Sequence, residues 1–321
     1  MHYYGESGCS RDNCDNKAYF ILKNKIYCGR CCNKNVEGRK KMPFNPMKDE
    51  NRREMIEKQN DEIVRHQKIN KKNKMKGRIE TLKMKMMKSP EYQSGFMQVF
   101  PNFRAKSKFG WNMNSLSPMA LGPVEHGQPT LPIAKNIENF HQSNKVFPFE
   151  LEEEDDDEIP LEKQKVKKEF YETQSSMYSD PEPHRHKPTA RAYLKDKKIK
   201  NKNKPVFSIW VDKDGREHRI SYIESRQFYC TFYERLVKRE EQYETLRNEV
   251  ENGTNIQICG YDARNMKDDM QDYETNKKNI NHMYKDESTP FGHEMVLYSI
   301  LILKEEDYPW KIQREEMGFL Y

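Results

Sequence analysis

The chain has 321 residues, of which 35 % are hydrophobic and 34 % charged, with a formal net charge of +6 and a mean hydropathy of -1.12. That balance allows two modest domains but is too polar for one core running the whole length, so part of the chain is expected to be extended or disordered. The most apolar run, "EMVLYSILIL", is about half of the roughly 20 residues a bilayer span needs, and no apolar leader follows a basic start, so the expectation is an intracellular protein with no membrane partner.

Five of the seven cysteines fall between Gly8 and Cys32. In a reducing compartment such clustering favours a metal over disulfides. Cys9 and Cys14 form a C-x4-C pair, and Cys28 and Cys31 a C-x2-C pair. Two close thiolate pairs joined by a short segment suit tetrahedral Zn2+, and four protein ligands leave no open position, so the ion is expected to be structural. "AYFILKNKIYC" fits a hairpin with Asn24 near its tip and Tyr19, Phe20 and Tyr27 beside the metal. Residues 1–38 are too few to fold by burial alone, so metal binding would supply most of their folding free energy. Cys32 can stand in for Cys31, and redox-active or spare thiols are the alternative. The pattern resembles the cysteine-rich knuckles of large DNA viruses and brown-algal regulators, whose last ligand is usually His where this chain has Cys31.

Residues 39–90 carry 17 Lys/Arg against 7 Asp/Glu. Within them 51–88 reads as a basic helix broken only at Gly77, with sparse apolar positions. Lys and Arg at this density bind phosphate without reading sequence, so nucleic acid is the expected partner; a solvated or protein-bound helix is the alternative.

Residues 91–149 are rich in Pro, Gly and aromatics. Pro118, Pro123, Pro129 and Pro132 fix the backbone, and Ile137 to Phe147 reads as a short helix. On it Glu138, His141 or Gln142, and Lys145 share one face by their i, i+3/i+4, i+7 spacing. An acid, an imidazole or amide, and an amine so placed can bind a polar ligand or move a proton; a solvated face with an i,i+4 pair is the bland alternative. The spacing E-x2-H-Q-x2-K is similar to a helix motif of the NADAR-type N-glycosidases, and "TPFGHEMVLYSILI" to their late Gly-containing helix. The resemblance implies cleavage of N-glycosidic bonds in nucleotide-like or ADP-ribose-type substrates, with Glu138 and Lys145 in the active site.

Residues 150–205 open on "ELEEEDDDEIPLE" and close on "LKDKKIKNKNK", which reads as a charged, disordered linker. Residues 206–321 regain periodic hydrophobicity. "VFSIWVDKDGREHRISYI" predicts a hairpin at Asp214-Gly215. A helix capped by Ser225 follows and stops at Gly253, then a buried strand "NIQICGYD", a loop over 262–288 with room for a short helix, and a helix in "STPFGHEMVLYSILILKEED". The expectation is an α+β or small α/β domain. Arg226, Tyr261 and Asp262 are candidate ligand-binding residues, since ligands gather at the carboxyl ends of strands. His293, a candidate catalytic residue, and Glu294 open a helix whose N-terminus favours anions. Cys230 and Asp286 also lie near element ends, and Cys230 reads as a small buried residue. No P-loop, G-x-G-x-x-G or G-x-S-x-G occurs.

Taken together, "SLSPMALGPVEHGQPTLPIAKNIENFHQSNKVF", "SRQFYCTFYERL", "GYD" and "FGHEMVLYSIL" resemble uncharacterised proteins of large nucleocytoplasmic DNA viruses. The resemblance implies a viral source and, with it, host cytoplasm or viral factory as location, with viral or host proteins as partners. It carries no activity. Three readings follow: a zinc-stabilised binding protein for nucleic acid or a nucleotide-like ligand, an N-glycosidase, and a virion or assembly component.

Overall fold

The computed structural model describes residues 20–22, 25–27, 49–85, 90, 92–102, 110–152, 159–195, 204–267 and 272–316. The chain divides into two compact units, Met1–Glu57 and Lys58–Tyr321.

In the first unit, β1 (Phe20–Leu22) and β2 (Lys25–Tyr27) pair antiparallel, Phe20 opposite Tyr27 and Leu22 opposite Lys25. This register agrees with the hairpin expected between the two cysteine pairs. Cys9, Cys14, Cys28, Cys31 and Cys32 lie outside the described residues.

The basic stretch is not one helix. α1 (Asp49–Lys72) ends well before residue 88, and Ile79–Lys83 forms strand β3. Gly77 marks the break for a steric reason: a Cβ there would lie 1.8 Å from the Thr254 carbonyl oxygen. The chain passes too close to a neighbouring backbone for any side chain, and it enters the sheet at that point. Tertiary pairing thus overrides local helix preference.

The main sheet has five strands in the order β10-β3-β9-β4-β5, with β4 at Phe96–Phe100, β5 at Trp111–Asn112, β9 at Asn255–Gly260 and β10 at Met266–Lys267. β9 runs parallel to both neighbours, and Ile258 faces Thr81 on one side and Val99 on the other. Every residue of β9 is buried, as a central parallel strand covered on both faces requires. A second, antiparallel sheet joins β6 (Lys145–Val146), β7 (Phe207–Val211) and β8 (Glu217–Ile220). The last two strands are the expected hairpin. The fold is α+β.

Helix α2 (Ile137–Ser143) is capped by Asn136, whose side chain accepts the Asn139 N–H at 2.8 Å. It stops short of Phe147, so Lys145 stands on β6 rather than on the helix. The region expected to be a linker is folded over much of its length. α3 (Lys168–Ser179) buries Phe170, Gln174, Met177 and Tyr178, and α4 (Ala190–Lys195) follows. Only the apolar spacing of α3, not its charge content, reports this core contact. The acidic run 153–158 and the basic run 196–203 lie outside the described residues.

Beyond the hairpin, α5 (Tyr222–Val237) and α6 (Glu241–Glu251) replace the single expected helix. The cap is Ser221, not Ser225: Ser221 and Glu224 exchange side-chain-to-backbone hydrogen bonds in a capping box, and Ser225 is already inside the helix. The expected loop 262–288 holds α7 (Tyr273–Lys285). α8 (His293–Ile302) starts after Gly292 and packs on β3, β9 and α5. α9 (Pro309–Glu316) follows.

Residues 206–321 are therefore not a domain by themselves. β9 is inserted between β3 and β4, and one core runs from Ile79 through Phe140, Trp210 and Phe228 to Trp310. Trp210 stacks on Phe228 at 3.8 Å, and Phe140 meets Phe232 edge-on at 5.1 Å, which ties α2, the small sheet and α5 together. Among the described residues no helix is long and apolar enough to cross a membrane.

Candidate active site

A cavity of about 1020 Å³ opens where α2, β6, the 183–191 segment and the starts of α5 and α8 meet the end of β9. Glu138, Lys145, His293, Arg226, Tyr261 and Asp262 all line it. The sequence candidates, drawn from segments more than a hundred residues apart, converge on one cleft.

Its centre is a hydrogen-bonded chain of three side chains. Glu138 Oε1 accepts a bond from Gln142 Nε2 at 3.0 Å, and Gln142 Oε1 accepts one from Lys145 Nζ at 3.1 Å. The amide can satisfy both neighbours in only one orientation, so it fixes the acid and the amine relative to each other. Burial pushes the Glu138 carboxyl above its ordinary range, opposed by the charges of Lys145, His293 and Arg185 and by the Gln142 bond. Burial also brings Lys145 down to about 8, with Glu138 and Asp262 acting in the opposite direction. The two groups thus approach each other in proton affinity, as acid–base chemistry near neutral pH requires.

Gln142, not His141, is the middle member of the face. His141 packs against Tyr229 at 4.8 Å between ring centroids, and burial, then Lys145 and Arg226, keep it well below the usual imidazole range. It is a neutral wall residue.

His293 enters the cavity with one ring nitrogen hydrogen-bonded to backbone and the other beside a buried carboxylate oxygen that accepts no hydrogen bond among the described residues. Nε2 donates to the Pro101 carbonyl at 2.8 Å, and Nδ1 lies 3.3 Å from Glu294 Oε2. It ties the start of α8 to the end of β4 and is not free to attack a substrate. Glu294 is 1 % exposed and packs against bare backbone: a Cβ on Gly260 would lie 1.8 Å from its Oε1. Burial raises its carboxyl, and Asp262 adds like-charge repulsion.

Arg226 is likewise spent on structure. Nη1 donates to the carbonyls of Tyr284 and Asp286, and Nη2 to that of Thr289 at 2.9 Å. The guanidinium fastens the turn after α7 and forms part of the wall. In that turn Asp286 is brought down to about 2, chiefly by hydrogen bonds from Ser288 and Thr289. Tyr261 and Asp262, at the carboxyl end of β9, are exposed to the cavity as the strand-end argument predicts. Cys230 is fully buried and its thiol is raised by burial, in keeping with a packing role.

Tyr222, Tyr229, Asn102 and the segment His184, Arg185, His186 and Arg191 also line the cavity and were not singled out by sequence. The run "PHRHKPTAR", bracketed by prolines and following apolar positions 170, 174, 177 and 178, carries the signal for the last four. Among the described residues no group of three or more His, Cys, Asp or Glu could hold a metal ion. Searches of family models, curated proteins and solved structures found no match to the chain.

Proposed function

We propose that the cleft hydrolyses the N-glycosidic bond of a nucleotide-like ligand. The observation that carries this reading is the Glu138–Gln142–Lys145 chain on a cavity wall, with burial moving the acid up and the amine down. A cavity of about 1020 Å³ has room for a nucleotide-sized ligand. Tyr261 offers an aromatic face for the base. In the reaction a water molecule attacks the anomeric carbon and Glu138 takes its proton. The carbon–nitrogen bond breaks with its electron pair passing to the base, and the Lys145 ammonium protonates that nitrogen. Gln142 keeps the two groups in register, and the carboxylate supports positive charge developing on the sugar.

The test is release of free base from a panel of nucleosides, nucleotides and ADP-ribosyl compounds, comparing wild type with Glu138→Gln. Release by wild type, reduced at least about a hundredfold in the variant, supports the reading. No release across the panel, or equal release by both proteins, defeats it.

A second reading concerns the N-terminal unit. The β1–β2 register between the two cysteine pairs favours a knuckle in which Cys9, Cys14, Cys28 and Cys31 hold one structural Zn2+. The basic stretch 39–90 would then deliver this head to nucleic acid through phosphate contacts. About one zinc per chain by elemental analysis, lost in Cys28→Ser, together with a gel shift that weakens steeply with salt, is the expected result. A metal-free preparation or a salt-insensitive shift defeats it.

A further inference from the structure

We infer that the 183–191 segment is a phosphate subsite, its two guanidiniums Arg185 and Arg191 gripping the terminal phosphate of a nucleotide-like ligand whose sugar lies at Glu138. The inference deepens the hydrolytic reading and rests on it for the identity of the bond presented, but anion binding can be measured without turnover.

Three observations carry it. The first is fastening. At one end, Asn139 of α2 accepts the His184 N–H at 2.7 Å and donates to the carbonyls of Asp180 and Glu182, both at 2.9 Å. His184 itself is closed onto Asp180 at 2.6 Å. At the other end, Lys187 is 1 % exposed, its ammonium bonded to both Glu150 oxygens at 3.0 and 3.1 Å and 4.0 Å from the centre of the Phe170 ring. The segment is thus tied to the residue next to Glu138 and to the small sheet's core. Its side chains are held at a fixed offset from the acid.

The second observation is what remains unspent. Arg185 and Arg191 line the cavity, and neither makes an ion pair or side-chain hydrogen bond with the described residues. The neighbouring groups are taken up: Lys187, which is outside the cavity lining, by Glu150, the His184 ring by a hydrogen bond with Asp180, and Lys145 by the chain to Glu138. Guanidinium forks left open in a cleft match the oxygens of a phosphate, which they can bind two bonds at a time.

The third is mutual repulsion. After burial, the cations Arg185, Lys145 and Arg191 are what keep His186 below the usual imidazole range. A cluster that opposes its own protonation is relieved by an anion, and a phosphate monoester brings close to two negative charges.

The experiment uses the full chain and calorimetry with ribose 5-phosphate, ribose and a dinucleotide that has only an internal phosphodiester. Ribose 5-phosphate is expected to bind, ribose to bind at least tenfold more weakly, and the double variant Arg185→Gln/Arg191→Gln to lose at least tenfold for ribose 5-phosphate alone. Both arginines are exposed and make no ion pair or side-chain hydrogen bond among the described residues, so the variant keeps its fold, which an unchanged melting temperature verifies. Equal binding of ribose and ribose 5-phosphate, or undiminished binding by the double variant, overturns the subsite. Tighter binding of the dinucleotide assigns the cluster to a strand's phosphodiester and overturns the terminal-phosphate assignment. Binding that passes these arms with no base release from any substrate leaves the subsite standing and removes hydrolysis. Base release with an unchanged KM in the double variant does the reverse.

Discussion

Glu138 and Glu294 are both buried carboxylates on the wall of one cavity, and burial raises both. They differ in what meets their oxygens. Glu138 is met by a side-chain amide and, through it, by an amine that itself titrates near 8. Glu294 stands beside the His293 ring, with the backbone N–H groups of Asp262 and its own residue near it, and it packs on Gly260 and Gly292; its Oε2 accepts no hydrogen bond among the described residues. Backbone amides cannot trade protons with a carboxyl group, and the His293 ring spends its N–H on the Pro101 carbonyl, whereas the Lys145 ammonium can give a proton up. The same burial therefore produces a proton-handling group at one end of the cavity and a scaffold at the other.

The largest expected effect tests this difference directly. Glu138→Gln should lower base release by about two to four orders of magnitude, because it removes the base while keeping the shape. Glu294→Gln should leave kcat within about fivefold, less than roughly 1 kcal/mol of barrier, since its amide can still fill the space between His293 and the glycines. A loss in Glu294→Gln as deep as that in Glu138→Gln would erase the distinction. Steady-state kinetics on one substrate decides it.

Arg226 sharpens the scaffold half of the comparison. Arg226→Met strips three carbonyls of a charged donor in a buried setting, and about 3 kcal/mol or more of stability should go with them. Denaturant unfolding measures it. Turnover per folded molecule should change far less than in Glu138→Gln. The opposite pattern, stable protein with lost turnover, would place Arg226 with the ligand.

These assignments also mark what a sequence discloses. The helical spacing of Glu138, Gln142 and Lys145 was legible because side chains three or four apart on a helix must be neighbours. Even the last step off α2 onto β6 preserved it. The carboxyl end of β9 was legible from its short β-prone stretch, Ile256, Ile258 and Cys259, and from the Gly260-Tyr261-Asp262 that ends it. The partners of β9 were not: β3 lies in a Lys-rich stretch and pairs with a strand about 175 residues later, a contact with no local signature. Charge content likewise concealed the 183–191 segment. Lys187 reads as one more solvated lysine, and only the fold reveals Glu150 and the Phe170 ring around its ammonium. Arg226 looked like a ligand group for the same reason, because carbonyl acceptors leave no trace in a sequence.

The smallest effect concerns pH and stability. Lys145 and Lys187 are each lowered to about 8 in the folded protein, burial being the first cause in both. In the unfolded chain a lysine titrates near 10.4. Between these values the unfolded chain holds lysine protons that the folded one has released, so these two groups push stability up with pH across that window. Raised tyrosines work against this above pH 10, and the buried Cys230 and Cys259 thiols, also raised by burial, work against it from about pH 8 upward, so the lysine share is read between pH 8 and 9.5 as a difference between wild type and a lysine variant. Each lysine should contribute on the order of 1 kcal/mol there. Urea unfolding at the two pH values measures the change, and Lys145→Met should shift it downward by about the share of one lysine while leaving the Lys187 share. If wild type and Lys145→Met change in stability by the same amount between pH 8 and 9.5, the amine beside Glu138 keeps its proton throughout. The acid and base would then not be matched, and the contrast between the two ends of the cavity would lose its chemical basis.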